Sequence, residues 1–209
     1  MDIIIKELIS AVLQITVFAL VPFIFFLFRK DRNERFFGYI GLYGAPLNSI
    51  MLVLLAGILM IAAGISVSFI SSGFREALYS PNSVTGKLHA MGLSPVSVAV
   101  LLITALLKTS LSEEIFFRGF IAKRLIKKFG YNTGNILQSV IFGIVHLLLF
   151  YFIAKSDVGA AIFIFIFSSA AGYIICYIKE KYAEGSIIPG WVAHGLGNTV
   201  SYFIIAFVI

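Results

Sequence analysis

The chain has 209 residues, of which 60% are hydrophobic and only 12% are charged, and its mean hydropathy is +1.01. A soluble globular domain keeps roughly a quarter of its residues charged to cover its surface, so this composition excludes that class and predicts a chain surrounded mainly by lipid. The net charge of +6 does not indicate a nucleic-acid partner, because most Lys and Arg residues fall in short clusters between apolar runs, a pattern that sets membrane topology. The single cysteine, Cys176, excludes a disulfide framework and a cysteine-based metal site.

Apolar runs recur along the whole chain, and six are long enough to cross a hydrocarbon layer ~30 Å thick, which needs about 20 residues. They lie at roughly 9–28, 50–70, 94–117, 133–153, 158–178 and 187–208. We therefore predict an all-α fold in which 1–209 form a single transmembrane domain, a polytopic bundle of six to eight helices. The stretch from Phe36 to Asn48 is apolar but short and contains three glycines and a proline. It is either an interfacial segment, which we favour, or an additional broken span.

Clusters of basic residues predict the orientation of the bundle. Of the 16 Lys and Arg residues, ten lie at 29–35, 123–128 and 179–181, and four lie in the alternate connections. This excess predicts that the three clusters lie in the cytoplasm and that both termini lie outside. The membrane we expect is the cell membrane. The first cluster follows the first apolar run rather than preceding it, so this run is a membrane anchor and not a cleavable signal peptide.

The basic segment 119–130 has apolar residues interleaved with four Lys and Arg residues. This pattern predicts an amphipathic helix that lies on an anionic leaflet.

Ionisable side chains inside apolar spans cost a few kcal/mol each even on the most lenient insertion scale, so each needs a reason. Five of them, and one amide, stand out: Glu113, Glu114, Arg118, His146, His194 and Asn198. Glu114 and Arg118 are spaced i, i+4 and can neutralise each other on one helix face. Glu113 points about 100° away from Glu114 and has Phe117, not a base, four residues later. It is the acid that helix pairing leaves unexplained, and the candidate general base.

The histidines and the amide lie on two later spans. His146 follows Phe142 by four residues, and His194 and Asn198 share a helix face. At 1.5 Å per residue their depths overlap with that of Glu113, so all of them can meet in the cytoplasmic half of the membrane. The plain alternative is that these polar groups only hold helices together.

A carboxylate with two imidazoles offers two hydrolytic chemistries. In the first, Glu113 and His146 activate a water molecule while His194 and Asn198 donate to the oxyanion, and no cofactor is required. In the second, Glu113, His146 and His194 hold a zinc ion that activates the water. No HExxH sequence occurs, so a zincin helix is excluded.

Three motifs occur in order on separate apolar spans: EExxxR at Glu113, Glu114 and Arg118, FxxxH at Phe142 and His146, and HxxxN at His194 and Asn198. Over 110–200 the chain resembles the CAAX protease and bacteriocin-processing (CPBP) family, which includes the type II CAAX prenyl endopeptidases and their Abi-like bacterial relatives. The resemblance implies an all-helical intramembrane fold with a conical cavity open to the cytoplasm. It also implies paired roles: water activation by Glu113 and His146, oxyanion stabilisation by His194 and Asn198, and structural support by Glu114 and Arg118.

We therefore expect a CAAX-type intramembrane endopeptidase whose partners are membrane lipid and a membrane-associated peptide or protein. Prenylated and bacteriocin-like substrates are both compatible with the resemblance, and the sequence identifies neither the substrate nor the oligomeric state. The alternative from another class is a non-catalytic membrane protein, a bacteriocin immunity factor or a transporter, in which the buried charges hold helices together or carry protons. Against it stands the lack of any shared structural purpose for Glu113, His146, His194 and Asn198.

Overall fold

Helices form all the regular structure of the chain in a computed structural model that describes residues 2–29 and 33–209, and no strand occurs in these ranges. Lys30 and Arg32 of the first basic cluster lie outside the described residues. Within these ranges nine helices follow in chain order: α1 Ile3–Leu27, α2 Phe36–Tyr39, α3 Leu47–Ile70, α4 Ser72–Leu78, α5 Val84–Met91, α6 Pro95–Phe129, α7 Tyr131–Ile153, α8 Val158–Tyr182 and α9 Ile188–Phe207. The all-α prediction is confirmed.

Five helices of the described chain, α1, α3, α6, α7 and α8, are long and apolar enough to cross a membrane. The chain is therefore a multi-pass membrane protein. The sixth predicted span coincides with α9, which has 20 residues but is not among the five apolar helices. Its polar side chains, His194 and Asn198 among them, lower its hydropathy. Protein neighbours surround this helix instead, because it packs against α3, α5 and α6.

The 36–48 stretch contains no helix that could form a span, since α2 has only four residues and rises about 6 Å. The chain then turns at Gly41, whose φ of 77° suits glycine. The Gly41 carbonyl accepts a hydrogen bond of 2.8 Å from the Ile187 amide, and a Cβ on Gly41 would lie 2.6 Å from the Gly185 carbonyl. The stretch therefore packs on the chain that leads into α9.

The amphipathic helix predicted at 119–130 forms the end of α6, which runs without interruption to Phe129. Two π-helical stretches, Ile103–Leu111 and Glu114–Ala122, widen this helix. A Cβ on Gly119 would lie 2.4 Å from the Ile40 carbonyl, and the Lys123 ammonium donates to the carbonyls of Gly38 and Tyr39. The first part of the segment, up to Lys123, is thus packed on protein, whereas 127–130 are exposed.

Helices α4 and α5 close the opposite end of α9 from the basic clusters. The Tyr79 hydroxyl donates to the Ile205 carbonyl at 2.8 Å, and His89 Nδ1 lies 2.9 Å from the Ala206 carbonyl oxygen. Leu88 packs in one buried cluster with Leu101 and Ala206. This contact fixes the 71–93 connection over the C-terminal end of α9.

We expect the 71–93 connection on the outer side and the basic end of α6 in the cytoplasm, because of the bias in Lys and Arg. The one native cysteine, Cys176, is fully buried, so we expect a thiol reagent to react only with an introduced cysteine. Ala90→Cys should react with a membrane-impermeant thiol reagent on intact cells, whereas Asn132→Cys should react only after permeabilisation. The reverse pattern would invert the bundle in the membrane.

Candidate active site

The three predicted motifs meet in one place between α6, α7 and α9. The Oε2 atom of Glu113 lies 3.8 Å from His146 Nε2 and 3.8 Å from His194 Nε2. Glu113 sits between the two π-helical stretches of α6, an irregularity that often marks functional sites. The same Oε2 atom is buried and has no hydrogen-bond partner within the described residues. A carboxylate oxygen is thus held between two imidazoles at distances too long for direct hydrogen bonds.

The Glu114 carboxylate and the Arg118 guanidinium form the predicted i, i+4 ion pair at 3.4 Å, and both side chains are 0% exposed. The Arg118 guanidinium also lies 4.0 Å from the centre of the Phe142 ring, a cation–π contact that compensates buried charge. Glu114 Oε1 is in addition 3.2 Å from His194 Nδ1. The pair therefore links α6 to α7 and α9, which helix spacing alone did not predict.

Hydrogen bonds at the Nδ1 atoms determine how the two imidazoles face Glu113. His146 Nδ1 lies 2.9 Å from the Phe142 carbonyl, which can only accept, so Nδ1 carries the proton. His194 Nδ1 faces the Glu114 carboxylate, which also accepts while it is paired with Arg118. When the rings are neutral, both Nε2 lone pairs are directed at Glu113 Oε2.

Asn198 lies one turn beyond His194 and bonds to α6. Its Nδ2 atom donates to Thr109 Oγ1 at 3.1 Å and to Ser110 Oγ at 3.2 Å. Both amide N–H groups are therefore engaged. Donation from Asn198 to an oxyanion, as the motif predicts, would require one of them to leave its hydroxyl.

A cavity of about 440 Å³ adjoins these groups and contacts Glu113, His146, His194 and Asn198. Gly197 also lines it, and a Cβ there would meet no atom within 4 Å, whereas a Cβ on Gly195 would lie 2.8 Å from the Leu106 side chain. The glycines around His194 and Asn198 thus serve two purposes, helix contact at one position and open space at the other. Tyr202, four residues after Asn198, lines the same cavity; sequence reasoning missed it, although its spacing from Asn198 was a usable signal.

The cavity extends from the Glu114–Arg118 end of the site towards the α4–α5 connection, where its lining includes 82–85 and Ile205. The basic clusters lie at the other end of these helices. If those clusters face the cytoplasm, the cavity runs from the site towards the outer side. The predicted cytoplasmic position of the clusters and the predicted cytoplasmic opening of the cavity therefore require opposite orientations of the bundle. The side that the site faces stays a prediction.

The residues named for a zinc site, Glu113, His146 and His194, fit it poorly. Ligands about 2.0–2.2 Å from a tetrahedral zinc ion lie roughly 3.4 Å apart, which is closer than the 3.8 Å separations found here. Within the described ranges, no group of three or more His, Cys, Asp and Glu side chains is placed to hold a metal ion.

Comparison with known families gives one match. Residues 95–200 match the model of the family described as type II CAAX prenyl endopeptidase Rce1-like. The matched segment is just over half of the chain and contains all three motifs, so the resemblance drawn from them is confirmed. No curated protein and no solved structure matches the chain.

Loss of Arg118 should destabilise the protein. In Arg118→Ala, the Glu114 carboxylate stays buried without its cation, a change that typically costs about 3–5 kcal/mol. We expect low membrane yield and early thermal unfolding after extraction. Arg75→Ala, in α4 and far from this pair, is the matched loss of an arginine and should unfold like the wild type; equal stability of the two variants would show that the pair is not structural.

Proposed function

The chain belongs to the Rce1-like type II CAAX prenyl endopeptidase family, and on this premise we propose that it hydrolyses a peptide bond of a membrane-associated peptide or protein by means of an activated water molecule. The observation that carries the proposal is the position of Glu113 Oε2, buried without a hydrogen bond and equally distant from two imidazole nitrogens beside a cavity. Helix pairing does not account for such an acid, and converging ionisable groups in a membrane are typical of functional sites.

Water activation falls to Glu113 and His146. Glu113 Oε2 and His146 Nε2 lie 3.8 Å apart, and a water molecule beside both atoms can bridge them. It donates one hydrogen bond to the carboxylate and one to the imidazole lone pair, so that its own lone pairs are directed away from both groups. Glu113 then accepts a proton as the water oxygen attacks the carbonyl carbon of the scissile bond. His146 is the orienting partner, because its Nδ1 proton is committed to the Phe142 carbonyl.

Oxyanion stabilisation falls to His194. Since Nδ1 of this ring donates to Glu114, its Nε2 atom becomes a donor only when the ring carries both protons. In that doubly protonated form the ring faces the carboxylates of Glu113 and Glu114, and Arg118 balances the charge of Glu114. The site then holds two carboxylates and two cations, so that Nε2–H can donate to the developing oxyanion without net buried charge.

Collapse of the tetrahedral intermediate needs a proton on the departing amine. Glu113, protonated in the first step, is the group that can return it, acting as general acid. The carbonyl side leaves as a carboxylic acid and the nitrogen side as an amine, and the site regains its starting charges.

The poor fit to a zinc ion supports a reaction carried by these side chains, and we derive no step through a metal. Chelation with EDTA or 1,10-phenanthroline should leave peptide cleavage by the purified protein unchanged, and metal analysis should find less than stoichiometric zinc. Stoichiometric zinc together with loss of cleavage on chelation, restored by added zinc, would assign Glu113, His146 and His194 as ligands instead.

The substrate class is proposed more broadly, as a membrane-associated peptide or protein with either a prenylated or a bacteriocin-like terminus. A prenylated peptide with a CAAX ending and the membrane peptides of the producing cell form the assay panel. Identification of products by mass spectrometry decides between them.

Glu113→Gln should abolish cleavage while leaving fold and membrane insertion intact, because it keeps the side-chain shape and removes the base; we expect turnover to fall by ~10²–10⁴-fold. His146→Ala should have the same effect. Glu7→Gln is the matched control, an acid within α1 that pairs with Lys108 at 2.8 Å and does not line the cavity.

The rival class predicts the opposite result. If Glu113→Gln keeps the cellular phenotype of the wild type and neither protein yields a cleavage product, the site is not catalytic, and an immunity or transport role replaces the protease.

A further inference from the structure

The Thr109 hydroxyl, on the first π-helical stretch of α6, has more hydrogen-bonding neighbours than its one proton can serve. The carbonyl oxygens of Thr104 and Ala105 lie 3.0 Å and 3.2 Å from Thr109 Oγ1. Asn198 Nδ2 donates to the same atom at 3.1 Å, and the hydroxyl of Tyr202 forms a further hydrogen bond with it. Thr109 Oγ1 therefore joins α6 to two side chains of α9.

The direction of the bond between Thr109 and Tyr202 follows from a count of protons. If the Thr109 proton goes to a backbone carbonyl, which can only accept, Tyr202 donates to Thr109 Oγ1 and both hydroxyl protons have an acceptor. Donation from Thr109 to Tyr202 would leave the Tyr202 proton without an acceptor in the part of the chain that the structure describes. Thr109 Oγ1 thus accepts two hydrogen bonds, one from Asn198 and one from Tyr202.

Ser110 Oγ, the second acceptor of the Asn198 amide, has no such additional donor among the described residues. It donates to the Ala105 carbonyl at 2.6 Å and accepts from Asn198 Nδ2 at 3.2 Å, and Ser110 is 0% exposed. Withdrawal of an N–H group from Ser110 would leave an enclosed oxygen with no donor, whereas withdrawal from Thr109 leaves that oxygen bonded to Tyr202. The bond to Thr109 is therefore the one that Asn198 can give up at the lower cost.

Packing holds the Tyr202 hydroxyl in this position. Tyr202 follows Asn198 by four residues, so both lie on one face of α9, and both line the cavity. The Tyr202 ring packs against the buried cluster that contains Leu88 and Ala206. The ring is thus fixed by apolar contacts, and its hydroxyl is free to serve Thr109.

An oxyanion at the site needs donors, and Asn198 can supply one only if an N–H group leaves α6. On the basis of the proposed peptidase function, we infer that Tyr202 is a positioning residue, whose hydroxyl keeps Thr109 Oγ1 hydrogen-bonded while one N–H group of Asn198 turns to the oxyanion. Ser110 retains the other N–H group and holds the amide in place. Asn198 then donates to the oxyanion together with His194, and Tyr202 acts through Thr109 without touching the substrate.

Kinetics of the full chain with the prenylated CAAX peptide of the assay panel test this inference. Tyr202→Phe keeps the ring in its apolar contacts and removes only the hydroxyl. We expect kcat to fall roughly five- to tenfold, the usual value of one hydrogen bond, with little change in KM. The fall should disappear when Tyr202→Phe is combined with Thr109→Val or with Asn198→Ala, because the phenol acts through both residues.

A matched tyrosine separates this role from a general loss of stability. Tyr79→Phe also removes a hydroxyl that bonds to α9, where it donates to the Ile205 carbonyl at 2.8 Å, but Tyr79 does not line the cavity. This variant should keep the kcat of the wild type, and Tyr202→Phe should unfold at the same temperature as Tyr79→Phe.

A second pair of variants does not depend on Tyr202. Ser110→Ala removes the anchor of the N–H group that stays, whereas Thr109→Val removes the partner of the N–H group that leaves. Ser110→Ala should therefore lower kcat more than Thr109→Val does. A larger loss of kcat in Thr109→Val would overturn the inference even if Tyr202→Phe failed to fold.

The outcomes also distinguish this inference from the proposed function. Unchanged kcat in Tyr202→Phe overturns the positioning role, as does an equal fall in the Thr109→Val background, which would show that the phenol contacts the substrate directly. A rise in KM without a fall in kcat overturns it as well. If the wild-type chain cleaves no member of the assay panel, the peptidase is overturned and this inference with it.

Discussion

The ion pair between Glu114 and Arg118 is the interaction on which the rest of the site depends. Two opposite charges with no exposed surface are tolerated in a lipid environment only while each compensates the other. The carboxylate also orients His194 through Nδ1. The guanidinium lies on the ring of Phe142, the residue whose carbonyl oxygen orients His146. The pair thus orients His194 directly and contacts the residue that orients His146.

The different roles of the adjacent acids Glu113 and Glu114 follow from helix geometry. Glu114 is directed into protein contacts and acts as a fixed counter-charge, whereas Glu113 is directed towards the cavity and the two Nε2 atoms. Neighbouring carboxylates can differ so strongly in role because a helix turns them about 100° apart. Imidazole tautomers fixed by the Phe142 carbonyl and by Glu114 complete the arrangement, as outer contacts do for catalytic and metal-binding histidines in general.

Much of this arrangement follows from spacing in the sequence. The helical fold, the Glu114–Arg118 pair and the meeting of Glu113 with His146 and His194 all follow from residues that repeat at helical intervals in apolar runs. Contacts made between helices do not follow from such intervals. The hydroxyl partners of Asn198 depend on the π-helical register of α6. The close approach of Gly119 to the Ile40 carbonyl depends on a segment that is distant in the sequence.

The lining of the cavity comes from two separate parts of the chain. Glu113, His146 and His194 all belong to the segment that matches the family, 95–200, whereas an opposing part of the wall comes from α3 and the α4–α5 connection, including Gly57, Gly64 and Thr85, which precede it. The proposed reactive groups therefore lie within the family segment, whereas part of the wall around them is encoded outside it. Substitutions in α3 or α5 can change the shape of the cavity without altering Glu113, His146 or His194.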